Sequence, residues 1–146
     1  MRHIRVIYPG KTKEGFIRSG IDKYLRLLKP YARMELIEVK AGTGTPSLVI
    51  KEESERLLRA VEPPFYLLDR DGKELSSEEF AEVLSGLSRI DFVIGGAFGV
   101  SDELKASASL RLSLSRLTFT HELSRLILLE QLYRAMTIIE GRKYHY

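Results

Sequence analysis

The last five residues, Arg142-Lys143-Tyr144-His145-Tyr146, put two cations, two tyrosines and an imidazole into one short run. Cations hold phosphate, aromatic rings stack on bases, and a histidine or tyrosine can move a proton, so the run suits a nucleotide substrate. A frayed tail is the plain alternative. A second cluster, Gly95, Gly96 and Gly99 in "IGGAFGVS" (94–101), follows an apolar run. Glycines there admit positive φ and let a ligand approach the backbone, although a tight turn needs the same residues. The spacing is G-G-x-x-G, not the dinucleotide fingerprint, and no Gly-Lys-Ser/Thr follows to make a phosphate-binding P-loop. A third segment, "SRLTFTH" (115–121), carries three hydroxyls and a histidine and fits neither strand nor helix period.

These residues need elements to position them, and the chain reads as alternating strands and helices. Ile4–Tyr8 is an apolar strand closed by Pro9-Gly10. Phe16, Ile21, Tyr24, Leu25 and Leu28 recur at helical spacing up to Pro30. Met34–Val39 is a second strand, "AGTGTPS" (41–47) a loop, and Leu48–Val61 an amphipathic helix closed by Pro63-Pro64. "FYLLD" (65–69) is continuously apolar up to its aspartate, as expected of a strand buried on both faces. "RDGKELSS" (70–77) reads as a loop, and Ser77 opens a capped helix through Leu87. "DFVIGG" (91–96) is another buried strand, and Ser101 opens a short helix. An amphipathic strand (110–115), the uncommitted segment and a helix from His121 to Glu140 complete the chain.

Strict alternation predicts an α/β fold with a mostly parallel sheet flanked by helices. Ligands in such sheets bind at the carboxyl ends of strands. Three loops leave such ends late in the chain, after Leu68-Asp69, after Ile94 and after Ser115, and chemistry is expected there.

Composition narrows the class. At 146 residues with 44% hydrophobic content, the chain is expected to form a single domain spanning 1–146 with a real core. It has no cysteine, and its three histidines, His3, His121 and His145, are scattered, which argues against disulfides and a metal site. No run has signal-peptide or membrane-spanning character, so a cytoplasmic protein without membrane contact is expected. The net charge is +3, but residues 1–40 carry +6 and the remainder −3. A basic amino-terminal region is what a phosphate-facing surface looks like, or a solvated helix face.

The last helix is apolar over most of its circumference, from Leu123 through Ile139. Such a helix is buried on more than one side, and in a small domain the second side is expected to be another subunit, giving a homodimer. A central core helix within one chain is the alternative.

"FYLLD", "DFVIGGAFGVS", "LSLSRLTFTHELSRLILLEQLYRAMTII" and the terminal "YHY" come in the order and spacing of the ribosomal RNA large subunit methyltransferase H (RlmH) family. The chain resembles this family over essentially its whole length. The resemblance implies the SPOUT class, with a C-terminal trefoil knot. It implies methylation of N3 of a pseudouridine in 23S large-subunit ribosomal RNA, with S-adenosyl-L-methionine as donor, a homodimer, and the assembled ribosome as substrate. In proteins like this, the segment after the amphipathic strand passes through an earlier loop and cups the cofactor. By resemblance, cofactor contacts fall on Leu68, Gly95, Ser115, Arg116, Leu117, Thr118, Phe119 and Thr120. Family members commonly have Pro where this chain has Thr120, which can instead cap the following helix, with Glu122 in its first turn.

The chemistry needs no metal, because a sulfonium is already a good leaving group. It needs the acceptor nitrogen held against the methyl and its proton removed. His145 is the expected base, Tyr144 positions the acceptor, and Arg142 binds phosphate or the imide anion. His121 and Arg125 are weaker candidates. The tail of one chain is expected to serve the cofactor pocket of the other. Two alternatives are another SPOUT enzyme acting on transfer RNA or a ribose, and a ribosome-associated binding module without turnover.

Overall fold

A computed structural model describes residues 1–145. In chain order the elements are β1 (Arg2–Pro9), α1 (Gly15–Leu28), β2 (Ala32–Val39), α2 (Pro46–Ala60), β3 (Phe65–Glu74), α3 (Ser77–Ser85), β4 (Arg89–Val93), α4 (Asp102–Ser107), β5 (Leu110–Ser113) and α5 (His121–Ile139). The five strands form one parallel sheet in the order β2-β1-β4-β3-β5. The expected α/β architecture, a parallel sheet flanked by helices, is what is found.

Alternation along the strands divides the core into two layers. Ile4, Val6 and Tyr8 of β1, with Ile90, Phe92 and Ile94, face α1, α3 and α5. Ile7, Phe65, Leu67 and Val93 face the opposite way, against Leu57 of α2 and Leu104 of α4. Arg5 and Asp91 fall on this second face. The fully buried Asp91 takes two hydrogen bonds from Arg5, at 2.8 and 2.7 Å, and one from Glu62 N–H at 2.8 Å.

The largest departure from the sequence reading is β3. The run Arg70–Glu74, expected as loop, continues the strand. The cause is its partner: after a register shift, Lys73 and Glu74 pair with Leu112 and Ser113 of β5. Gly72 makes this possible, since a Cβ there would lie 2.5 Å from the Arg111 carbonyl oxygen. Smaller shifts have local causes. β4 stops at Val93, before its glycines, and β5 stops at Ser113. α2 starts earlier than expected, at Pro46, with Thr45 as its cap, and the cap of α3 is Ser76 rather than Ser77, in a reciprocal capping box with Glu79.

α5 lies in the groove between α1 and α3. Leu128, Leu129, Leu132, Ala135 and Met136 are buried there, while Leu123, Ile127 and Ile138 are half-buried. Gly20 lets α1 come close, because a Cβ there would stand 2.8 Å from the Leu126 methyl groups. The amino end of α5 is pinned to the carboxyl end of β1. Glu122 Oε1 accepts from the N–H groups of Lys13 (2.9 Å) and Glu14 (3.0 Å). Arg125 stacks 3.9 Å from the Tyr8 ring centroid and donates to Pro9 O (2.8 Å) and Thr12 Oγ1 (2.9 Å). β5 is the edge strand and β1 lies three positions away, so residues 114–120 must cross the ends of β3 and β4 to reach α5.

Candidate functional site

That crossing builds a cleft. It has a volume of about 710 Å³ and lies where the ends of β3 and β4 meet segment 114–121. All three loops singled out from the sequence converge in it. Leu68 comes from β3 and Gly95 from the loop after β4, and Ser115, Leu117, Thr118, Phe119 and Thr120 close the third side. Arg116 is the exception among the expected contacts. Its side chain is 84% exposed and points to Glu74, 3.9 Å away.

The uncommitted segment has its own local order, and its hydroxyls explain it. Ser113 Oγ donates to Ser115 O at 3.0 Å, and Ser115 Oγ accepts from Leu117 N–H at 3.0 Å, a serine turn that breaks the strand. Thr118 Oγ1 accepts from Arg70 at 2.9 Å, which clasps the segment to the extended end of β3. Thr120 Oγ1 caps α5 by accepting from Leu123 N–H at 3.2 Å, as its position before the helix predicts. Leu117 projects over the cleft and is 74% exposed, with exposed Phe98 also on the lining.

The floor is glycine by necessity. A Cβ on Gly95 would stand 2.8 Å from Val100 Cγ1, and one on Gly96 would stand 2.5 Å from Glu53 Oε1. Gly99 has φ +84°, and its N–H bonds Gly96 O at 3.1 Å. Glu53 itself is buried at 6% exposure. One carboxylate oxygen accepts from Gly42 N–H at 3.0 Å, while Oε1 has no protein partner.

Walls of Leu68, Ile94, Leu114, Leu117 and Phe119 suit a flat heterocycle, with peptide groups to read its edge. Ionisable groups sit at the rim: Asp69, Arg70, Lys105 and His121. Burial, and then the Arg125 charge, push His121 below its ordinary value of 6.5, so it is neutral at pH 7. Among the described residues, no group of His, Cys, Asp and Glu could hold a metal ion, and no helix is long and apolar enough to cross a membrane.

The three tail residues sit elsewhere. They follow the far end of α5, whose 19 residues span about 28 Å. Tyr144 Oη donates to Glu130 Oε2 at 3.0 Å and lies 3.3 Å from Tyr24 Oη. Its ring packs edge-on against Tyr133, centroids 4.6 Å apart. Burial, with the Tyr24 and Glu130 hydrogen bonds, holds its phenol far above the usual range. His145 is gripped at both nitrogens, Nδ1 at 3.0 Å from Arg134 and Nε2 at 2.5 Å from Glu78. Because arginine only donates, Nδ1 is the acceptor and Nε2 carries the proton. Arg142 lines a separate groove with Arg2 and Glu140. Tyr146 lies outside the described residues. Within one chain, then, the cleft and the tail trio stand apart.

Arg70, Lys105 and Glu53 escaped the sequence reading. Arg70 sat in a run read as loop. Glu53 carried a usable signal: it occupies the buried stripe Val49–Glu53–Leu57 at helical spacing, where a charge is out of place.

Comparison with known proteins identifies the family of the chain. A family model described as a predicted SPOUT methyltransferase matches residues 2–145. The chain is 56% identical over 146 residues to a protein of Thermodesulfovibrio yellowstonii named Ribosomal RNA large subunit methyltransferase H, with all of both chains covered. It is 44% identical to the protein of the same name from Carboxydothermus hydrogenoformans, covering 97% of this chain and 98% of that one. Among solved structures, a probable methylase family protein from Haemophilus influenzae Rd KW20 aligns with a TM-score of 0.55 at 13% identity, over 99% of this chain and 70% of that chain, a likeness of fold.

Proposed function

The chain belongs to the SPOUT methyltransferase family, and from that premise we propose that it moves a methyl group from S-adenosyl-L-methionine to N3 of a pseudouridine in 23S large-subunit ribosomal RNA. The substrate is the assembled ribosome in the cytoplasm. The names of the relatives support the ribosomal RNA substrate. The observation that carries the reading is the cleft itself, in which seven of the eight residues expected to hold the cofactor converge.

The cleft suits that cofactor. Gly95 and Gly96 pack too closely on Val100 and Glu53 to carry a side chain, so the floor presents bare backbone, and Leu68, Leu117 and Phe119 offer apolar faces for an adenine. When bound, the cofactor supplies a methyl group on a sulfonium, which leaves as a neutral thioether. The protein orients the acceptor and deals with the N3 proton, because a neutral imide is a poor nucleophile. His145 accepts that proton once the tail releases Arg134 from Nδ1. Tyr144 remains a phenol at working pH and acts as a hydrogen-bond donor to the base. Arg142 faces a phosphate or the imide oxygen.

The 28 Å length of α5 supports a two-chain site. A tail so far from its own cleft serves the cleft of a second copy, so the working unit is a homodimer. The half-buried apolar residues Leu123, Ile127 and Ile138 on α5 offer an interface. The passage of residues 114–120 over the ends of β3 and β4 supports a knotted path for the segment that cups the cofactor.

Transfer of labelled methyl to ribosomes lacking the modification, free large subunits and naked ribosomal RNA tests this directly. Label mapped to pseudouridine N3 in ribosomes but not in naked RNA is the expected result. Label on transfer RNA or a ribose reassigns the substrate within the class. No label and no cofactor binding would replace the enzyme with a binding module.

A further inference from the structure

The amino-terminal charge finds its place at the end of the sheet opposite the cleft. A groove of about 530 Å³ has Leu25 and Met34 at its base, the exposed Met1 at its side, and a rim of Arg26, Lys29 and Arg33. It adjoins, through Met1, the larger groove of about 900 Å³ that holds Arg2 and Arg142. Together the two linings present five cations against one carboxylate, Glu140. Arg26 and Lys29 are exposed and have no carboxylate partner among the described residues. Among the described residues, the one carboxylate partner of Arg33 is Glu35, at 3.3 Å, which it shares with His3.

A local cause accounts for part of this. Arg26 and Lys29 lie at the carboxyl end of α1, where cations are favourable. A similar cause holds for Arg2, which donates to the Leu84, Ser85 and Leu87 carbonyls at the carboxyl end of α3, but neither accounts for Arg33, which comes from β2, or for Arg142, which comes from the tail. Tertiary structure has gathered charges that repel one another, and such a gathering is stabilised by an anionic partner.

The grooves are continuous with the tail. Tyr144 reaches Tyr24 on α1, and Lys23 lies 5.6 Å above the Tyr24 ring. Tyr31 packs edge-on against Tyr133, which carries Tyr144. A polynucleotide that presents one base to the tail carries phosphates on both sides of that base. Its backbone must leave along the surface beside the tail, and that surface is this cationic rim.

We propose that the groove bounded by Arg26, Lys29 and Arg33 is the RNA backbone grip of the enzyme, used by the protomer that lends its tail. The inference rests on the tail acting on RNA, as above. It divides the labour of a symmetric dimer: one protomer holds cofactor, and the other holds the strand and presents the tail.

The test is steady-state methylation of ribosomes lacking the modification, by Arg26→Ala/Lys29→Ala/Arg33→Ala over a range of salt. The comparison protein is Lys40→Ala/Lys51→Ala/Arg59→Ala, which removes the same charge from exposed positions in and around α2. The groove variant is expected to raise KM about 10-fold or more with kcat unchanged, and to lower the slope of log kcat/KM against log salt by about 3, one for each phosphate that the variant no longer neutralises. The α2 variant should change far less. Equal effects from the two variants would mean that overall charge, not this groove, attracts RNA. An unchanged KM and slope, or a loss confined to kcat, would equally overturn the grip. If the wild-type protein labels no ribosome, the functional reading fails. Filter binding of naked large-subunit ribosomal RNA then decides the groove alone: weaker binding by the groove variant than by the α2 variant keeps it, and equal binding removes it.

Discussion

Tyr144 donates its phenolic hydrogen to Glu130 Oε2 at 3.0 Å, and so folds the C-terminal tail back onto the helix it has just left. Glu130 is also held by Arg134 at 2.8 Å, and Arg134 stacks on the Tyr144 ring and reaches His145. The tail is therefore organised before any substrate arrives. A phenol whose pKa is driven upward stays protonated, so Tyr144 is a donor and not the base. Tyr144→Phe keeps the packing on Tyr133 and loses the hydrogen bond. Methyl transfer should fall about 10-fold or more with cofactor affinity unchanged, as for a lost acid–base or positioning group. A matching loss of cofactor affinity, read by calorimetry, would place Tyr144 in the cleft's support instead.

Action across the dimer has a sharper readout. Gly95→Val blocks the cleft and His145→Ala disables the tail, so each homodimer should be inactive. Heterodimers formed by refolding the two together retain one intact cleft facing one intact tail. About a quarter of wild-type activity should return at random pairing, from symmetry alone. If mixing restores nothing, the tail serves its own chain.

His121 lies on the cleft and is pushed below 6.5 by burial and by Arg125, with Glu122, Glu53 and Lys13 also acting on it. A folded value below the unfolded one means the unfolded chain binds the proton more readily. Stability from this source is present above pH 6.5 and is lost as pH falls through the folded value. Melting temperatures between pH 7 and 5 should therefore drop for the wild-type protein and drop less for His121→Gln. Parallel curves would show that His121 does not set the dependence.

Thr120 has φ −61°, a value that a proline ring adopts without strain, and its N–H makes no backbone hydrogen bond. Thr120→Ala removes the cap of α5 and should cost about 1 kcal/mol. Thr120→Pro loses the same cap but restricts the unfolded chain, a gain of about 0.4–1 kcal/mol, so its net change should be near zero. Thermal melting of the pair compares them, and a Pro variant less stable than the Ala variant would contradict this account.

Asp91 is the buried charge on which the α2 face depends. Burial acts to raise its carboxyl, but the Arg5 hydrogen bonds, the Glu62 N–H and the Arg5 and Arg89 charges outweigh it and hold the pKa below 3.8. A depressed carboxylate stabilises above its unfolded value and ceases to do so as pH falls through the folded one, so this contribution disappears below about pH 4. Asp91→Ala leaves Arg5 unpaired in the core and should cost about 3–5 kcal/mol in denaturant unfolding at pH 7. A cost under about 1 kcal/mol would mean that Arg5 finds other partners.

Much of this molecule is determined by the sequence alone, because much of it is local. Strand and helix periods, the caps at Ser101 and Thr120, and the turn-forming glycines after β4 all follow from the conformations that neighbouring residues allow one another. Parallel strands with helical crossovers then force loops to one edge, so the convergence of the loops after Leu68-Asp69, Ile94 and Ser115 also followed from order along the chain. What remained hidden depends on what lies opposite in space. Arg70–Glu74 became strand because β5 supplied hydrogen bonds. Glu53, Glu122 and Arg125 are buried because backbone N–H and C=O groups from distant loops meet them. The tail trio is separated from the cleft because a straight helix carries its two ends apart. Local propensity cannot report any of these, since burial and pairing are fixed only when segments far apart in the chain come together.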